Sequence, residues 1–523
     1  MPPGRLAAVL LLAGAVLLFA FAARPPRALF DAQAGHAVQE ATVRTVRTRA
    51  VVCGIVVVAI AILAAWHPSP GPARHLLPAA RGEGPSRAAI VIFAIGIVVR
   101  AILLFGPPHY DEAFTVVEFV WKSPLFFLSR YLFPNNHVFH TLLVWCVHAV
   151  AGNRLWALRL PAFAAGVALL PATYFLARRV AGDWAATIAT ALAAAATPLV
   201  EYSAQARGYT IVTLVFVLLF LIDDDRLRAL LIAVGGWTIP TMLFAAAAWA
   251  MWTAITERAW RRIVYVAVAS TALAFVLYLP TLVVSGPASM VADGNVRAVT
   301  YSYDALGHQL PLSFLGTWTR WNTSFTMPFA VVLSAAAAAA IARGRPAGVL
   351  FGSALVAIVP MLLLLRNVPF PRVWIFVLPL YLIAAADTLA LLPRAGIAAA
   401  VAALLLAANA LRVTSRDDFI DHPALRDAPE IAAVVRRLPP GGRVLVMPPL
   451  DAAVRLYSAG AAAFVEYPFD SDAKAVRASL AAAQRRYFVA TLQDGHDAYA
   501  QLGLPYALVP RRRFPHAVLY ELR

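Results

Sequence analysis

Charged residues are scarce in this chain. Asp, Glu, Lys and Arg make up 14% of its 523 residues against 61% hydrophobic ones, and the mean hydropathy is +0.73. That leaves too little polar surface for a soluble globule and points to a polytopic membrane protein. Acidic residues are scarcer still, with 27 Asp and Glu against 44 Lys and Arg and a net charge of +17. The excess is mainly Arg in short connectors, so it reports orientation through the positive-inside rule and excludes a nucleic-acid partner. Only two cysteines occur. Cys53 and Cys146 lie in apolar runs, which fits neither a disulfide framework nor the paired spacing of a zinc site. No internal repeat of fixed period is present, and the C-terminal region has no Gly-x-Gly-x-x-Gly or Walker loop to hold a nucleotide.

What the chain has in abundance is long apolar runs. Residues 1–87 form an N-terminal extension: a run from Leu6 to Ala23, a basic segment from Arg24 to Arg49, a short run from Val51 to Trp66, and a Pro/Gly/Arg linker from His67 to Arg87. One or two membrane helices are expected here. If both runs cross, the basic segment lands outside, against the positive-inside rule.

Residues 88–412 form the main membrane domain, which with the extension gives about 11–13 transmembrane helices. Ala88 to Phe105 spans and delivers the chain to Asp111-Glu112 on the outer side. His137 to Val150 is short and carries three histidines, which argues for a helix lying at the interface. The later spans are Leu158–Ala177, Trp184–Val200, Tyr209–Ile222, Leu227–Ile239, Met242–Ile255, Ile263–Val284, Met327–Ile341, Val349–Leu365, Val373–Leu392 and Gly396–Leu411. The run from Leu227 is the weakest, because it is short and contains Gly235-Gly236. With this parity the clusters Arg178-Arg179, Glu257 to Arg262 and Arg343 with Arg345 share the cytoplasmic side. The connectors 107–153, 201–207, 285–326 and 366–372 then share the extracytoplasmic face. Residues 413–523 alternate short strand-like and helical stretches, as expected of a small extracytoplasmic α/β domain.

The candidate site residues fall in those outer connectors. Acidic side chains cost roughly 2.5–3.5 kcal/mol each at a bilayer centre, so the Asp111-Glu112 pair belongs to water or a polar cavity. Transfer of a group to a hydroxyl needs a carboxylate to take the proton, and Asp111 is the candidate base. Glu112 is read as a ligand for sugar hydroxyls or as a residue orienting a partner, with a helix-start carboxylate favoured by the dipole as the plain alternative. Asn135, Asn136, His137 and His140 suit hydroxyl recognition. Tyr202, Arg207 and Tyr209 form a third cluster, and Arg372 a fourth. Arg207 and Arg372 offer planar forks to a phosphate leaving group, unless they snorkel toward headgroups. The alternative is a divalent cation held by His137 and His140 with Asp111. The arginines are preferred, because no acidic cluster rich enough for Mg²⁺ lies nearby, and no metal or other cofactor is required.

These clusters, in this order, resemble the GT-C superfamily of membrane glycosyltransferases. The resemblance is to the family 39 enzymes, the protein O-mannosyltransferases and the related aminoarabinose transferases. It rests on Asp111-Glu112 after the first family span, Asn135-Asn136-His137 in the first outer loop, Arg159-Leu160-Pro161 opening the next span, and Tyr202-Ser203 with Arg207 and Tyr209. It covers about Ala88 to Leu411, and the first 87 residues depart from it. The resemblance implies a polyprenyl-phosphate-linked monosaccharide donor, a cell-envelope acceptor (glycan, lipid or protein hydroxyl) and transfer with inversion on the outer face of the cell membrane. It places Asp111 near the reacting centre, within outer loops 106–156 and 285–326, the latter covering the cavity with Trp318, Arg320 and Trp321. A transporter or flippase of lipid-linked sugars is the competing reading. It would call for repeated halves and mid-span ionisable residues.

Overall fold

The structure is a computed structural model that describes residues 3–23, 40–66, 85–131, 133–290, 300–301, 306–365, 368–392, 423–439, 441–458, 463–465, 473–493, 499–500 and 502–523. Within these, the apolar runs become helices in the expected order. Leu160–Ala181, Trp260–Leu277 and Pro371–Leu389 are each long and apolar enough to cross a bilayer, and two bent pairs bring the number to five among the described residues. One pair is Asp183–Ala195 with Thr197–Ser203, bent by 60°; the other is Met327–Ala342 with Pro346–Leu362, bent by 96°. Tyr209–Leu219, Asp225–Thr238 and Met242–Thr256 are shorter. The doubtful run from Leu227 proves continuous through Gly235-Gly236, and Gly235 makes room for Met242: a Cβ there would come within 2.9 Å of its side chain. Gly396–Leu411 lies outside the described residues.

Small side chains draw these helices together. Asp183–Ala195 is buried from Ala185 to Ala195, packed among Arg87–Leu103, Leu160–Ala181 and Leu378–Leu389, whose Ala384, Ala385 and Ala386 are fully buried. Val264 and Val268, by contrast, point outward, as lipid-facing residues do. In the N-terminal extension Pro3–Ala23 and Glu40–Trp66 pair with each other and dock on Leu279–Val284, where Arg49 donates to the Val284 carbonyl at 3.1 Å.

The two ends of the bundle differ. At one end Arg262 donates to Asp225 at 2.7 Å, Arg228 and Glu257 join the same network, Arg179 approaches Asp223 at 3.4 Å, and Arg345 forks onto Asp387 at 2.6 Å twice. At the other end the connectors meet in two sets: Asp111 and Asn135 from the first contact Arg207 from the second and Arg372 from the fourth, while Glu201 from the second pairs with Arg320 from the third. Arg366 and Asn367, also in the fourth connector, lie outside the described residues. The expected interfacial helix runs Val138–Ala151, fourteen residues, short of the roughly 20 needed to span.

The C-terminal domain is built on a five-stranded sheet in the order Ala463–Val465, Gly442–Val446, Arg485–Thr491, Ala517–Leu522, Leu508–Arg513. The first three strands run parallel, with Val444 opposite both Phe464 and Tyr487, and the last two form an antiparallel hairpin. Helix Leu450–Ser458 leaves this sheet and packs on the first connector: Leu450, Ala453, Val454 and Leu456 share one core with Ala113, Phe114, Val117 and Val120. Arg455 adds an ion pair to Glu118 at 3.0 Å.

Candidate active site at the connector end

Pro107 and Pro108 cannot continue the preceding helix, and the chain restarts as Tyr110–Thr115 with Asp111 and Glu112 in its first turn, where the N-terminal dipole favours negative charge. Six residues are too few for a helix to stand alone. Its neighbours hold it, and Glu112 is the firmest of the polar ties. Oε1 of Glu112 accepts from the His109 backbone N–H at 2.8 Å and from Arg159; Oε2 accepts from Arg159 Nε at 3.1 Å and from the Ala206 N–H at 2.9 Å. A carboxylate offers about four lone-pair positions, and all are taken. Burial works against the charge, but the Arg159 guanidinium overrides it and holds the carboxyl below the usual range. Arg159 is itself buried and donates to the carbonyls of Leu103, Leu104, Gly106 and Pro107. Glu112 therefore has no oxygen left for a sugar hydroxyl. The partner it orients is Arg159, and the helix-start geometry is the one realised.

Asp111 meets the opposite surroundings. Its Oδ1 accepts from Asn135 Nδ2 at 3.0 Å, and Oδ2 faces Arg207 at 3.4 Å and Arg372 at 3.8 Å. The two guanidinium distances are those of ion pairs without tight hydrogen bonds. The side chain is 26% exposed. Thr115, one turn on, donates to the Asp111 carbonyl at 2.8 Å and accepts from Arg207 at 3.4 Å.

Arg207 is buried between Asp111 and the ring of Tyr209, 5.6 Å from its guanidinium carbon. Burial disfavours its charge, yet Asp111 and Tyr209 more than offset this and raise its pKa. His137 accepts the Gly208 N–H on Nδ1 at 2.9 Å, so in the neutral ring Nε2 carries the proton. Burial first, then the charges of Arg207, His140 and Arg372, hold His137 neutral, well below the ordinary histidine pKa. Gly208 has to be glycine, because a Cβ there would fall 2.5 Å from Thr238 and 3.2 Å from His137. Tyr209 stands edge-on to His137 at 5.1 Å and to Tyr202 at 4.9 Å. His140 is fully buried, and neither ring nitrogen has a hydrogen-bond partner.

The expected residues thus separate. Asn135, Arg207, Arg372, Tyr209 and His137 gather about Asp111. Asn136 instead donates to the carbonyls of Phe127 at 2.8 Å and Arg130 at 3.0 Å, and so closes the connector rather than presenting its amide to a substrate. Tyr202 meets Arg320, which also reaches Glu201 at 3.3 Å; Glu201 in turn accepts from Gln205 at 3.0 Å. Arg159, Thr115 and Gln205 were not singled out as site residues. Arg159 had a signal in its place in the Arg-Leu-Pro opening of a span, and Gln205 in its place between Glu201 and Arg207 in the third cluster. Among the described residues no group of three or more His, Cys, Asp and Glu is arranged to hold a metal ion.

This bundle, with its connectors gathered at one end over a carboxylate and capped by a small α/β domain, has the fold of the GT-C membrane glycosyltransferases. ArnT from Cupriavidus metallidurans in the apo state superposes with a TM-score of 0.58 at 15% identity, covering 83% of this chain and 97% of that one. The same protein bound to undecaprenyl phosphate gives 0.56 at 13% identity, with the same coverage. An oligosaccharyltransferase from Archaeoglobus fulgidus gives 0.47 at 12% identity, covering 80% of this chain and 69% of that one. No protein-family model and no curated protein matches the chain.

Proposed function

We propose that the protein transfers a monosaccharide from a polyprenyl-phosphate donor to a hydroxyl of a cell-envelope acceptor on the outer face of the membrane. The observation that carries this reading is the pairing of a half-open carboxylate, Asp111, with two guanidinium groups, Arg207 and Arg372, at the connector end of the bundle. The acceptor oxygen attacks the anomeric carbon, the bond from that carbon to the phosphate oxygen breaks, and the phosphate leaves with the electron pair. Asp111 takes the acceptor's proton as the new bond forms. Asn135 orients the carboxylate through Oδ1, which leaves Oδ2 to face the reaction. Arg207 and Arg372 oppose the charge that grows on the leaving phosphate, and preset donors of this kind contribute most where water is excluded. The neutral imidazole of His137 adds no competing charge and holds the backbone at Gly208 beside Arg207. Undecaprenyl phosphate bound to an ArnT of the same fold supports a lipid-phosphate donor. The arginines collected at the opposite end support a cytoplasmic assignment for that end and an extracytoplasmic one for the site and the C-terminal domain.

The test is to delete the protein and analyse envelope glycolipids and polymers for a lost sugar, then to restore wild type or Asp111→Asn. Wild type returns the sugar and Asp111→Asn does not. Restoration by Asp111→Asn removes Asp111 as the base. A lost sugar together with accumulation of lipid-linked sugar confined to the cytoplasmic face favours a flippase instead. Transfer that stops in EDTA and resumes with Mg²⁺ or Mn²⁺ replaces the arginine account with a cation at His137, His140 and Asp111.

A further inference from the structure

Arg100 lies inside the apolar helix Arg87–Leu103, is fully buried, and plays no part in the chemistry above. A charge in such a helix is costly and needs a reason. Its partners supply one. Nη1 donates to the carbonyls of Gly96 at 3.1 Å and Ala194 at 3.2 Å, Nη2 to the carbonyl of Ala193 at 3.2 Å, and Nε to Ser203 Oγ at 3.2 Å. Ala193 and Ala194 end the half-helix Asp183–Ala195, just where the span bends by 60°. In an unbroken helix the Ala194 carbonyl would take the N–H of residue 198, but that residue is Pro198, which has none. The Ala193 carbonyl would take the Thr197 N–H, which instead donates to Ser324 at 2.5 Å. One guanidinium replaces both missing donors. Gly96 permits the approach, since a Cβ there would come within 3.1 Å of the Ala194 Cβ.

The fourth hydrogen bond reaches across the break. Ser203 closes the second half-helix, Thr197–Ser203, and its hydroxyl is seated so tightly over Gly166 that a Cβ there would lie 2.0 Å away. Three residues beyond Ser203, the Ala206 N–H is fixed to Glu112, and the next residue, Arg207, faces Asp111. We propose that Arg100 is a positioning residue for the transfer reaction: it fastens both halves of the broken span and so sets where Arg207 stands to receive the donor phosphate. This rests on the lipid-phosphate reading given above.

Binding of undecaprenyl phosphate to the purified full-length protein provides the test, with thermal unfolding followed in parallel. Arg100→Lys keeps the charge and loses the fork, and is expected to weaken binding about tenfold; Ser203→Ala removes one bond and is expected to weaken it about threefold. Because Arg100 acts through Arg207, the double variant Arg100→Lys/Arg207→Ala should bind no worse than Arg207→Ala alone, a non-additivity that general damage to the bundle would not give. Wild-type binding by Arg100→Lys, or losses that add in the double variant, overturns the proposal. Should Arg100→Lys fail to fold, Ser203→Ala decides: wild-type binding overturns the proposal, and a loss that vanishes in the Arg207→Ala background supports it. Wild-type binding by Arg207→Ala is a different failure, since it removes the lipid-phosphate reading itself and this proposal with it.

Discussion

Asp111 and Glu112 are chemically alike and adjacent, yet the fold gives them opposite surroundings. Glu112 is sealed, with its four acceptor positions filled by Arg159 and two backbone N–H groups. Asp111 is 26% exposed, holds one firm hydrogen bond and faces two guanidinium groups at 3.4 and 3.8 Å. Saturation makes a carboxylate a good fastener and a poor reagent. An open edge beside fixed positive charge is what the proposed base needs. Successive residues of a helix point about 100° apart, so a dipeptide at the start of one is well suited to divide these tasks.

Four outcomes sharpen or break this contrast. The largest is expected for Asp111→Asn, which should lower transfer by about 10²–10⁴-fold while the melting temperature stays at the wild-type value. Glu112→Gln should do the reverse: it leaves the buried Arg159 without its counter-charge, at a cost of about 3–5 kcal/mol, read as an earlier thermal transition. If Glu112→Gln melts like wild type and only turnover falls, the division of labour is wrong. Third, Arg207→Lys should weaken undecaprenyl phosphate binding about tenfold and Arg372→Lys about threefold, because the first guanidinium is buried and closer to Asp111 while the second is 30% exposed. The reverse order in titrations would move the phosphate toward Arg372.

The smallest effect concerns pH. Burial pushes the Asp451 carboxyl, where the C-terminal domain meets the first connector, up to about 6. The native state therefore binds this proton more tightly than the unfolded chain, so the junction is steadier at low pH and loses stability as pH rises from about 4 through about 6. Glu112 acts in the other sense. Held below the usual carboxylate range, it contributes stability above that range and loses it as pH falls through its lowered value. Unfolding measured between pH 5 and 7 should show the Asp451 trend, and Asp451→Asn should flatten it. A stability that climbs over that interval, or a slope that survives Asp451→Asn, assigns the titration elsewhere.

The sequence made the helix order legible, because runs of Ala, Leu and Val long enough to cross a bilayer have few other fates. It also made the place of Asp111-Glu112 legible, as a polar pair at the end of such a run. The fate of Glu112 was not, since its partner Arg159 lies 47 residues away and nothing local distinguishes a sealed carboxylate from an open one. Asn136 was misread for the same reason: its acceptors are backbone carbonyls, which have no signature of their own. In the C-terminal domain the two parallel strands of Val444 and Phe488 stood out as short strand-like runs. The strand Leu508–Arg513 did not, because Pro510 and three arginines hide an edge strand that is paired on one side only.

Arg455 and Glu118 are separated by 337 residues of chain, and so, nearly, are the C-terminal-domain side chains that cover Phe114 and Val117. A ribosome adding 5–20 residues per second takes roughly 17–67 s to make that distance. The short helix that carries Asp111 thus emerges early and waits, without its cover, while the remaining spans are inserted. Only when Leu450–Ser458 has been made and folded does the helix gain its second wall. A nascent chain that has its spans but not yet this domain has an Asp111 helix that is still incomplete.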